Sequence, residues 1–150
     1  MASTLTHLLV HLVFSTKNRE PRISEDLEDP LYSYLGGLIR SLDCSLLAIG
    51  GMPDHVHLLV RLHPTSAVAP LVGKIKANSS RWINDGRGSR GRFAWQTGYG
   101  AFSVSESQAE VVKTYIARQK DHHSTRSFRE ELVDLLRRHG VEFDERYLLG

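Results

Sequence analysis

Between residues 8 and 105 the apolar residues switch from short continuous runs to helical spacing and back, twice, and that order leaves few folds open. Leu8 to Ser15 is rich in leucine and valine and reads as a strand, closed by the polar break Lys17-Asn18-Arg19-Glu20-Pro21. Ser24 then opens a helix on which Leu27, Leu31, Tyr34, Leu35, Leu38 and Leu42 recur at helical spacing, with acidic residues in the first turn where the dipole favours them. Ser45 to Gly50 and His55 to Leu62 read as strands separated by Gly50-Gly51-Met52-Pro53. The spacing of Val68, Leu71, Val72, Ile75 and Trp82 predicts a second helix over Ser66 to Asn84, followed by a basic glycine-rich loop, Gly86 to Arg92. A short strand around Ala101 to Ser105 completes a βαββαβ order, the split βαβ arrangement of ferredoxin-like domains. The expected fold class is therefore α+β: a ferredoxin-like core with an antiparallel sheet, one face of which such domains leave open. Two further helices are expected, Glu106 to about His122 and Phe128 to His139, the second stopped by Gly140.

At 150 residues the chain fits one domain, 1–150, able to bury about two-thirds of its unfolded surface. Cys44 is the only cysteine, so no internal disulfide or cysteine zinc cluster can form, and nothing points to an oxidising compartment. The apolar segment Leu8 to Phe14 is interrupted by His11 and lacks a basic flank, which supports neither signal peptide nor membrane span. A cytoplasmic protein is the expectation.

The segment Pro53-Asp54-His55-Val56-His57-Leu58-Leu59-Val60 puts two imidazoles into an otherwise apolar strand. Strand side chains alternate faces, so His55 and His57 share one face while Val56 and Leu58 take the other. Two imidazoles on a rigid face make half of a metal site. The pair alone does not choose the metal: imidazole suits zinc, iron, copper or nickel, and serves manganese or magnesium when oxygen donors complete the shell. Taken alone, a His-x-His on a strand is more often solvated or hydrogen-bonded than ligating. Asp54 either orients a ligand imidazole or caps a turn. His7 and His11 share another strand face, and without a fitting acidic or cysteine partner they read as structural.

On the third expected helix Tyr115 and Gln119 are four residues apart and share a face. A tyrosine hydroxyl can attack a phosphodiester, and an amide oxygen can complete a metal site that two histidines leave open. Free tyrosine is only about one part in a thousand ionised at neutral pH, so a metal-polarised phosphate or a local base must help. Packing beside Val111, Val112 and Ile116 would equally explain the tyrosine, and solvation the glutamine.

Taken together the segments HLVFSTKNR (11–19), MPDHVHLLV (52–60), KIKANSSRWIN (74–84), FAWQTGYGAFSV (93–104), YIARQ (115–119) and GVEFDERYL (140–148) resemble the HUH single-tyrosine transposases. These are enzymes of insertion sequences that move as single-stranded DNA, with relatives associated with extragenic palindromes. The resemblance spans almost the whole chain. It implies a DNA strand transferase that recognises hairpin ends, with Tyr115 as nucleophile and His55, His57 and Gln119 holding one divalent metal, Mg2+ or Mn2+, on the scissile phosphate. The implied step leaves a 5′-phosphotyrosine and a free 3′-hydroxyl, which another strand can later reverse. The insertion-sequence branch implies a homodimer with composite active sites; the palindrome-associated relatives can work as monomers.

The net charge is only +2, but basic residues cluster. Lys17 and Arg19 after the first strand, Lys74, Lys76 and Arg81 on the second helix, and Arg87, Arg90 and Arg92 in the loop could track phosphates, or simply keep the chain soluble. Trp82, Phe93, Trp95 and Tyr99 could stack on bases, though such residues in a small domain are mostly core. Two rival functions are a non-catalytic nucleic-acid-binding domain on the same fold and a hydrolytic metalloenzyme in which His55 and His57 activate water.

Overall fold

The structure, a computed structural model, describes residues 3–87, 91–122 and 126–148. Four strands, β1 (Leu9–Ser15), β2 (Ser45–Met52), β3 (His55–Arg61) and β4 (Gly100–Val104), form one sheet in the order β2-β3-β1-β4. Every neighbouring pair is antiparallel. Helix α1 (Glu25–Ser41) joins β1 to β2 and α2 (Val68–Arg87) joins β3 to β4, which is the expected βαββαβ order. Among the described residues no helix is long and apolar enough to cross a membrane.

The period-two alternation of β1 and β3 sorts their side chains onto two faces. Val10, Leu12 and Phe14 with Val56, Leu58 and Val60 pack against Leu31, Leu35 and Ile39 of α1 and Leu71, Val72 and Ile75 of α2. The opposite face carries the histidines, and it is not open. Three C-terminal helices follow β4: α3 (Ala109–Ala117), α4 (Gln119–His122) and α5 (Phe128–Arg138). Ala109 and Ile116 of α3 meet Leu9 and Leu59. Phe128, Leu132, Leu135 and Leu136 of α5 meet Val13 and Phe102. The amphipathic stripe of each helix needs an apolar partner, and the uncovered side of the sheet supplies it.

Two boundaries differ from the sequence expectation. Gly50 and Gly51 belong to β2, which runs on to Met52 and pairs Met52 with His55, so the turn is only Pro53-Asp54. Their glycines serve close approach: a Cβ at Gly50 would collide with the carbonyl oxygen of Ile116 on α3, and one at Gly51 with the carbonyl oxygen of His55. The helix expected from Glu106 to His122 is three pieces, a 3-10 turn at Glu106–Gln108 followed by α3 and α4, with the break at Arg118, whose backbone (φ −103°, ψ 25°) leaves the helical region.

Candidate functional site

Strand β3 delivers His55 and His57, both fully buried, to the face covered by α3 and α5. Their outer ring nitrogens are held from behind. His55 Nδ1 lies 2.7 Å from Asp54 Oδ1, so Asp54 orients the imidazole. His57 Nδ1 lies 2.8 Å from Nε2 of His11, which projects from the neighbouring strand β1. Burial and the adjacent His57 pull the His11 pKa down to about 3, so His11 stays neutral and its Nε2 can accept a hydrogen bond from His57 Nδ1–H. A proton on Nδ1 of each ring leaves both Nε2 lone pairs facing inward, the arrangement that metal-ligating histidines adopt. His7 joins none of this; it is exposed and paired with Glu106.

From the helices come the other groups. Gln119, 1% exposed, opens α4 and sets its Oε1 3.0 Å from His55 Nε2. Despite the break at Arg118, Tyr115 and Gln119 still reach one point: the Tyr115 hydroxyl and Gln119 Nε2 (2.9 Å) both donate to Oε2 of Glu131. Burial, then the Glu131 hydrogen bond and charge, push the Tyr115 pKa above the ordinary tyrosine value. Glu131 Oε1 in turn lies 2.8 Å from His57 Nε2 and 3.3 Å from His55 Nε2.

Glu131 has no counterpart among the sequence candidates, yet it is the centre of the cluster and only 1% exposed. The sequence carried a signal for it. On α5 the positions 128, 131, 132, 135 and 136 form one buried stripe, and Glu131 is the acidic residue interrupting it, the same anomaly on a helix that His55 and His57 present on a strand. Ser127 fixes the register by accepting from Glu130 N at 3.2 Å, and Phe128 packs its ring 4.5 Å from that of His55.

The donor set suits a cation. His55, His57 and Glu131 place their ligand atoms within 4.8 Å of one another. Although burial opposes charging His55, hydrogen bonds to Asp54 and Glu131 prevail and raise its pKa to about 9, so the pocket attracts a positive charge, which a metal ion could supply in place of the proton. Among the described residues three clefts reach this region, one of them, of about 220 Å³, beside Gln119 and Gly50. Of the two others, one of about 440 Å³ is lined by His11, Tyr115, Arg138 and His139, and one of about 400 Å³ by Arg19, Asp54, Arg126 and Ser127.

The basic candidates are scattered. Lys17 and Arg19 are exposed in the turn after β1, and Arg19 lines the cleft beside Asp54. Lys74 and Arg81 are exposed on α2, whose apolar side packs on the face away from the histidines. Lys76 is turned inward: its ammonium donates to the carbonyls of Gln96 (2.9 Å), Thr97 (3.3 Å) and Gly98 (2.5 Å), and half-burial lowers its pKa to about 8. It fastens the 96–98 loop. Arg87 closes α2, Arg92 is exposed, and Arg90 lies outside the described residues. Of the aromatic candidates, Phe93 and Trp95 are core, Trp82 stacks on Tyr34 at 4.7 Å, and Tyr99 is exposed.

Comparison with known proteins places this arrangement. Residues 4–119 match the family model described as IS200-like transposase. The chain is 27% identical to the ISDra2 transposase TnpA of Deinococcus radiodurans over 116 residues, covering 74% of this chain and 83% of that protein. It is 26% identical to the transposase of insertion sequence element IS200 from Salmonella typhimurium, covering 79% and 81%. Among solved structures, a candidate transposase from Deinococcus radiodurans superposes with a TM-score of 0.63 at 26% identity, over 79% of this chain and 95% of that one. A REP-associated tyrosine transposase bound to a REP hairpin shares the fold, with a TM-score of 0.61 at 13% identity over 82% and 74%. Because the family match runs through the strand of the histidine pair and ends on Gln119, this chain belongs to the IS200-like transposase family.

Proposed function

We propose that this transposase cleaves and rejoins single-stranded DNA at hairpin-bearing ends, with Tyr115 as the nucleophile and the whole chain, 1–150, working as one HUH domain in the cytoplasm. The observation that carries this reading is the meeting of the Tyr115 hydroxyl with His55, His57 and Gln119 around one carboxylate, all within a single chain. The Tyr115 oxygen forms a bond to phosphorus, the bond from phosphorus to the 3′-oxygen breaks, and that oxygen leaves as a 3′-hydroxyl after taking up a proton equivalent to the one the phenol gives up. No water is consumed, so a 3′-hydroxyl can run the step backwards and rejoin a strand. His55, His57 and Gln119 would hold Mg2+ or Mn2+, which supplies polarisation of a phosphoryl oxygen.

The protein's own residues do the rest. Asp54 and His11 keep the two imidazoles aimed, and Arg19 and Arg126, which line the cleft beside Asp54, offer positive charge to a phosphate backbone. Lys17, Lys74, Arg81 and Arg92 would follow the DNA further out, and Arg87 and Arg90 would add to the positive charge available to it. A hairpin substrate accords with the REP hairpin held by the neighbour of like fold. A homodimer would set two such centres together for two DNA ends, each complete in its own chain.

The test is a trapping experiment. A 3′-labelled single strand with an imperfect palindrome from the DNA flanking the gene should, with Mn2+, give a labelled band that migrates with the protein on a denaturing gel, and EDTA should abolish it. Free phosphate-terminated fragments without that band would instead indicate hydrolysis.

Because His11 aims His57, His11→Ala should weaken Mn2+ binding by about ten- to a hundredfold, the cost typical of losing a partner behind a metal-bound histidine. His11→Gln, whose amide oxygen still accepts a hydrogen bond, should retain most of the affinity. Calorimetric titration distinguishes the two.

A further inference from the structure

We propose that Glu131 is a fourth protein donor to the metal, so that the centre is two histidines, a glutamine and a glutamate, with its only anionic ligand supplied by the C-terminal helix α5. This rests on the metal-assisted reading above and adds a residue beyond positions 4–119, where the family match ends.

Three observations carry it. The first is spacing. A cation with ligands at 2.0–2.1 Å in octahedral geometry has neighbouring donors about 2.8–3.0 Å apart, whereas a tetrahedral zinc site spreads them to about 3.3 Å. Here the donor separations are 2.8 Å for Glu131 Oε1 to His57 Nε2, 3.3 Å for Glu131 Oε1 to His55 Nε2 and 3.0 Å for Gln119 Oε1 to His55 Nε2. They run from one value to the other, so the donors stand close enough to share a single cation.

The second is charge. Two imidazoles and an amide are neutral, and hard cations are held mainly by charged oxygen. Glu131, 1% exposed, brings a carboxylate that is costly to bury unless paired with positive charge. The third is orientation. Gln119 points its Oε1 at His55 and its Nε2 at Glu131 Oε2, so one amide rotamer serves both partners and leaves Glu131 Oε1 directed at the histidines. Through Oε2 the same carboxylate holds the Tyr115 hydroxyl, which ties the nucleophile to the metal centre.

The alternative role for a carboxylate in this place is a plug that competes with the cation. The two roles predict opposite signs. Mn2+ is titrated calorimetrically into the full chain and into His57→Ala, Glu131→Gln and Glu131→Asp, with a thermal melt of each. A ligand role requires Glu131→Gln to weaken Mn2+ binding about 100-fold and Glu131→Asp, which keeps the charge with a shorter reach, about tenfold. Affinity unchanged or tightened in Glu131→Gln, while His57→Ala loses binding, overturns the proposal and leaves the metal-assisted reading intact. Should Glu131→Gln not fold, unchanged or tighter binding by Glu131→Asp overturns it equally. Equal Mn2+ binding by the parent and His57→Ala removes the metal-assisted reading itself, and the proposal with it.

Discussion

Tyr115→Phe is expected to abolish the covalent protein–DNA adduct, a fall of at least about a thousandfold to the limit of detection, while the protein stays folded and still binds Mn2+. The substitution removes one oxygen. Its hydrogen bond to Glu131 is lost, but Glu131 Oε2 keeps the 2.9 Å bond from Gln119 and Oε1 keeps its histidine partners, so no buried carboxylate oxygen is orphaned. One hydrogen bond to a charged group is worth about 1.5–3 kcal/mol at most, which corresponds to a melting shift of roughly 3–12 °C in a chain of this size. Adduct formation and the melting midpoint together therefore separate nucleophile from scaffold. Adduct persisting in Tyr115→Phe at the parent's level would move the nucleophile elsewhere. Loss of adduct with continued cleavage to free fragments would favour water as the attacking group.

Local patterns in the sequence reveal the strands, the helices of the core and the residues that face the centre from β3. His55 and His57 stand out because a strand with period two leaves no doubt about which face they share, and that face is the one where Tyr115 and Gln119 arrive. Glu131 did not stand out, because its partners are 74 and 16 residues away in sequence and an acid in a helix's first turn is favoured by the dipole, which masks its interruption of the apolar stripe. The covered second face follows from the same cause. Which element lands on a sheet is decided by long-range packing of α3 and α5, and the βαββαβ order describes only the helices between the strands. Charge was the least legible property: Lys74 and Lys76 look alike in sequence, yet one is exposed on α2 and the other is turned inward onto three loop carbonyls.

Gly50→Ala should be severely damaging for a single added methyl, costing about 2–4 kcal/mol and most of the adduct-forming activity. Gly50 pairs with His57 across the hairpin, and the end of α3 rests directly on it. A Cβ there would occupy the place of the Ile116 carbonyl oxygen and come within 3.3 Å of Ile116 Cγ2. Backbone cannot swing aside as a flexible side chain does, so α3 must lift or β2 must bend. Ile116 is flanked by Tyr115 and lies three residues before Gln119, so a lift of the helix also takes the nucleophile and the amide away from His55 and His57. Catalysis that depends on placement within about an ångström loses roughly a hundredfold from such a shift. Gly37→Ala is the control: Gly37 is exposed on α1 with nothing within 4 Å of the added carbon, and the change should stabilise the protein by about 0.5–1 kcal/mol with activity unaltered. Denaturant melts and the adduct assay on the two variants check both effects. Were Gly50→Ala as stable and as active as Gly37→Ala, the contact between β2 and α3 would not be what holds Tyr115 over the histidines.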